Sequence, residues 1–117
     1  MKRLGLLSLI MAAVVGLPAV ATAQWADNFD SYANGSALHG QGGWAGWDLD
    51  PQFGAFVTNA QFKSAPHSLE SAGPTDIVQE YAGISSGSWV YTEHVYVPTG
   101  YTGQSYFILL SGYDGAN

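Results

Sequence analysis

From residue 24 onward, apolar positions do not recur at three- and four-residue spacing over any long window, so the pattern predicts strands and no amphipathic helix. Short runs rich in Val, Ile, Tyr, Phe, Trp and Thr alternate with turn clusters such as Ala33-Asn34-Gly35-Ser36, Ala72-Gly73-Pro74 and Ser85-Ser86-Gly87. Strands are expected over residues 25–31, 55–59, 67–71, 77–82, 88–97 and 105–113. The clearest alternation is 88–97. Trp89, Tyr91, Glu93, Val95 and Val97 point one way there, and Val90, Thr92, His94 and Tyr96 the other. Both faces are largely apolar or aromatic, which suits a strand in the middle of a sandwich. Pro98 ends it, because proline donates nothing to a ladder. Tyr106 to Leu110 is an unbroken apolar run of the kind found in a fully buried strand.

Residues 1–23 follow a different pattern. Lys2 and Arg3 give a positive start, residues 4–15 an apolar stretch, and Ala21-Thr22-Ala23 a small-x-small cleavage site, which together read as a secretory signal peptide. The functional protein is expected to begin at Gln24 and to be secreted or periplasmic. The apolar stretch is too short to span a bilayer, and no later segment is long enough to insert after signal removal. Removing 23 residues from 117 leaves 94, enough for one small domain over residues 24–117.

Charge narrows the partners. The remaining chain carries Lys63 against nine Asp and Glu, a formal charge of −8, which repels phosphate backbones and anionic lipid. Nucleic acid is therefore not expected as a partner, whereas neutral glycans, cations and cationic partners stay open. Cysteine is absent, so stability has to come from packing, a bound metal or a longer parent domain.

Several segments, taken in order, resemble the bacterial exported jelly-roll domains of the concanavalin A-like lectin and glucanase superfamily, which includes laminin G-like modules. They are Asn28-Phe29-Asp30-Ser31-Tyr32 with Gly35 and Leu38, Gly43-Trp44 and Gly46-Trp47-Asp48, Ser64-Ala65-Pro66-His67-Ser68-Leu69-Glu70, and Tyr91-Thr92 through Tyr96-Val97-Pro98. The resemblance implies an all-β, antiparallel β-sandwich. Domains of this group are roughly twice as long as residues 24–117, whereas sandwiches of ~100 residues belong to smaller types. A buried strand followed by Asp114-Gly115 reads as a hairpin opening without its returning strand. The domain is thus expected to be incomplete at its C-terminal end. The superfamily's glucanases carry a Glu-x-Asp-x-x-Glu repeat on one strand face; this chain has only Glu93 there, so that activity is not carried over.

Four residues are candidates for a site. Trp44 and Trp47, among Gly40, Gly42, Gly43 and Gly46, either form an aromatic platform for a sugar ring or pack into the core. Asp48 and Asp50 flank Leu49, and an extended backbone would put both carboxylates on one side, where calcium could bridge them. Asp27 and Asp30 are a second candidate pair for calcium; turn or surface roles are the alternative for both pairs. Calcium is common in the resembled superfamily. Glycoside hydrolysis needs two facing carboxyls, and Glu80 or Glu70 could supply a partner for Glu93 on a neighbouring strand. His39, His67 and His94 lack zinc-site spacing, and no G-x-S-x-G elbow is present. Asn34-Gly35-Ser36 fits a glycosylation sequon but reads first as a turn.

The leading expectation is a non-catalytic exported module that binds carbohydrate or another extracellular ligand, with structural calcium as an option. The alternatives are part of a polysaccharide-degrading hydrolase or lyase whose catalytic residues lie beyond Asn117, and a structural cell-surface protein.

Overall fold

The computed structural model describes residues 24–115, so the expected signal peptide and its cleavage point lie outside the described residues. The described residues are all-β and contain four short strands: β1 (Trp44–Gly46), β2 (Phe56–Thr58), β3 (Ser68–Glu70) and β4 (Ile77–Gln79). They form two antiparallel pairs. β1 lies against β4 with Trp44 opposite Gln79 and Gly46 opposite Ile77, and β2 lies against β3 with Val57 opposite Leu69.

The segment before β1 supplies a further row to the second pair. Gly35 N donates to Val57 O at 2.8 Å, Val57 N to Ser36 O at 2.9 Å and Leu38 N to Ala55 O at 2.8 Å. The two pairs are joined through loops, where Trp47 N donates to Asp76 O at 2.8 Å and Asp76 N to Phe53 O at 2.9 Å. These bonds satisfy backbone groups that would otherwise be desolvated where the pairs meet.

Alternation decides which side chains enter the core. In β2, Val57 is buried while Phe56 faces solvent, as a period of two requires. Val57 joins Leu38 and Trp44 in the central cluster, with Phe29, Tyr32, Leu69 and Ile77 packed around it. Trp25 closes one side, its ring edge-on to Trp44 at 5.6 Å and to Tyr81 at 5.2 Å.

Three expected strands take other forms. Residues 25–31 make turns instead: Phe29 N donates to Asp27 Oδ1 at 2.8 Å, Asp30 N to Asn28 Oδ1 at 3.3 Å, and Phe29 has a left-handed φ of 65°. Short polar side chains have here outcompeted a ladder for the backbone amides. Residues 88–97 and 105–113 have no place in either strand pair. They lie alongside each other, with Tyr91 stacked on Phe107 at 4.2 Å and the chain reversing at Pro98–Tyr101, where Tyr101 N donates to Pro98 O at 3.1 Å. Their apolar side chains stand in solvent, Val90 at 91% exposure.

Candidate functional site

Two polar centres flank the core. The first is Asp27. Its Oδ2 accepts the Tyr32 hydroxyl at 2.6 Å and the Trp44 indole Nε1 at 3.0 Å, and its Oδ1 accepts Phe29 N. Asp30, the other member of that pair, accepts Asn28 Nδ2 at 2.6 Å and His67 N at 3.1 Å. Both carboxylates thus hold protein donors and pin the 27–32 turn to the core and to the start of β3.

The same contacts place Trp44. It is 8% exposed and belongs to the central cluster, with Phe29 at 5.8 Å on one side and Trp25 on another. Of the two settings open to this ring from sequence, the core is the one it occupies. Gly42 approaches this centre so closely that a Cβ on it would lie 1.9 Å from the Tyr32 hydroxyl, at a φ of +58°.

The second centre follows β1. The turn Trp47–Leu49 is 3-10 rather than extended, with Asp48 at φ 54° and Leu49 at φ 59°. The extended geometry expected to align Asp48 and Asp50 is therefore replaced by a tight reversal. Asp50 caps the next 3-10 turn, Pro51–Phe53, its Oδ1 accepting Gln52 N at 2.9 Å and its Oδ2 accepting Gln52 Nε2 at 2.6 Å. Asp48 stays exposed.

Two non-glycine residues in succession at positive φ are costly, about 1–2 kcal/mol each, and need outside support. Tyr113 provides part of it. Asp48 N donates to the Tyr113 hydroxyl at 2.7 Å, and the Tyr113 ring lies 4.8 Å from the half-buried Trp47 ring, tilted by 59°. On the other side His39 Nδ1 accepts Gly46 N at 3.1 Å, which orients the entry to the turn. The result is an aromatic corner, Trp47 with Tyr113, beside an exposed carboxylate and an exposed Leu49. Tyr113 carries no local sign of this role, being 65 positions from its partner.

Among the described residues no group of three His, Asp or Glu side chains could hold a metal ion. Calcium takes about six or more oxygens. Asp50 accepts from Gln52, and Asp48 stands exposed. Of the acids weighed for catalysis, Glu70 is in β3, Glu80 follows β4, and Glu93 lies in the unladdered segment. Glu93 does act on its neighbours. The Tyr91 hydroxyl is pushed up to about 12, first by burial and then by the Glu93 charge, and Tyr81 is raised by the same two causes in the same order.

The fold and these centres define a small all-β protein. Comparisons with protein-family models, with curated proteins and with solved structures each return no match. No helix among the described residues is long and apolar enough to cross a membrane.

Proposed function

We propose that this chain is an exported, non-catalytic β-sandwich module of the concanavalin A-like jelly-roll type that binds neutral carbohydrate at the corner formed by Trp47, Tyr113 and Asp48. The observation that carries the reading is the left-handed Asp48-Leu49 turn held by the Tyr113 hydroxyl, which keeps a free carboxylate beside two aromatic rings. Indole and phenol faces stack on the apolar side of a sugar ring, while a carboxylate accepts from its hydroxyls. Held in advance, such a turn binds without an ordering cost. The formal charge of −8 favours a neutral glycan over an anionic one.

Affinity electrophoresis through gels of neutral polysaccharides, with calcium and with a chelator, tests the reading. The expected result is retardation by at least one glycan, lost in Trp47→Ala and weakened in Asp48→Asn. Retardation that needs calcium would add a structural ion to the proposal; equal retardation in chelator would remove the ion and leave the sugar. Unchanged mobility with every glycan in both conditions ends the binding claim.

A further inference from the structure

The largest unexplained feature is the arm over residues 82–112. Val90, Val95, Tyr96, Tyr106, Ile108 and Leu109 are between 62% and 91% exposed. They include odd and even positions of both runs, so neither face of the arm is covered. The arm is nonetheless organised. The Tyr91–Phe107 stack binds its two halves together, the Tyr101 hydroxyl donates to Gln104 O at 2.9 Å near the tip, and Tyr113 fastens its far end to Asp48.

We propose that this arm is an interface with a second copy of the chain, the two arms pairing face to face and strand to strand. Area is the first argument. The six side chains named above are each more than half exposed and lie on both faces of the arm, and a stable complex takes about 800 Å² from each partner. Monomeric proteins rarely leave so large a contiguous apolar surface in water.

Charge is the second argument. Of nine carboxylates, Glu93 is the only one within residues 82–112, and no Lys or Arg lies there. Copies that repel each other over the rest of their surface therefore meet where repulsion is least. The backbone supplies the third. Both runs lie outside the two strand pairs, so they offer donors and acceptors for antiparallel pairing across a two-fold axis.

Light scattering coupled to size exclusion, run on the purified chain over a range of concentrations, reads the state directly. A dimer is expected, and Val90→Lys with Leu109→Lys should weaken it at least ~100-fold by burying unpaired charge. Because the chain has no cysteine, Val95→Cys is a clean second probe. It should give a disulfide-linked or crosslinked dimer, while Asn34→Cys, exposed in a turn outside the arm, should not. This second result stands even if the lysine variants fail to fold.

A monomer at all concentrations, or polydisperse aggregate without a dimer, overturns the inference. So does a dimer that Val95→Cys fails to trap. A chain that becomes monomeric when further strands follow on the same polypeptide also overturns it, since those strands would then be the cover. None of these outcomes bears on glycan binding at Trp47, which is read separately.

Discussion

The Trp44 indole donates to the same Asp27 oxygen that receives the Tyr32 hydroxyl, so one carboxylate oxygen ties β1 to a turn 17 positions earlier. A large aromatic ring can enter a core only if its N–H finds an acceptor there. Asp27 is what allows Trp44 to be a core residue, and the Asn28-Phe29-Asp30-Ser31-Tyr32 segment is the structure built around that requirement.

Asp27→Ala is expected to lower stability by about 2–4 kcal/mol, because it strips three donors of their acceptor at once, two of them from aromatic side chains. Asp27→Asn should cost less, since it keeps one carbonyl oxygen. Urea unfolding followed by tryptophan fluorescence measures both. An Ala variant within about 0.5 kcal/mol of the parent, the range of ordinary surface changes, would remove Asp27 from this role.

The strands that alternation makes legible are those paired within the described residues. β2, β3 and β4 fall inside the expected runs 55–59, 67–71 and 77–82. β1 was hidden because Trp44-Ala45-Gly46 follows Gly42 and Gly43, and its one bulky residue gives no period. Residues 88–97 have the best pattern and no ladder, since alternation describes how a strand would present its faces and says nothing of whether a neighbour is there. At the site, Trp47 and Asp48 were visible as residue types beside glycines. Their partner Tyr113 was not, because a contact across 65 positions leaves no local trace.

Gly46 ends β1 at a place where backbone passes backbone. A Cβ there would lie 2.0 Å from Asp50 O and 3.0 Å from Gly54 N, and neither atom is the flexible end of a side chain. Gly46→Ala should therefore cost about 2–4 kcal/mol by forcing the 3-10 turns away from β1, and it should weaken glycan retardation along with stability. A variant with parental stability in thermal unfolding would contradict this close approach.

Leu49 supports the opposite expectation. It is 53% exposed and sits at φ 59°, so its side chain contributes little burial while its backbone is strained. Leu49→Gly should be neutral or stabilising by up to about 1 kcal/mol, whereas glycine in ordinary extended or helical backbone costs about that much. Differential scanning calorimetry distinguishes the two signs. A loss of about 1 kcal/mol or more would mean that the left-handed turn is not the state populated in solution.

Alkaline pH tests the two polar surroundings together. Tyr32 is raised above the ordinary value of 10.0, first by its hydrogen bond to Asp27 and then by burial, and Tyr91 reaches about 12 through burial and the Glu93 charge. A tyrosine raised in the folded state keeps its proton where the unfolded chain has lost it. Its contribution to stability is thus complete below about pH 10 and declines as pH rises through the folded value. Unfolding free energy should accordingly fall between about pH 10 and about pH 12, with tyrosinate absorbance developing in more than one wave across the seven tyrosines. Glu93→Gln should move Tyr91 and Tyr81 back toward the ordinary value without touching Tyr32, and Asp27→Asn should do the reverse. A single wave near pH 10, unchanged by either substitution, would show that neither carboxylate stands beside the hydroxyls assigned to it.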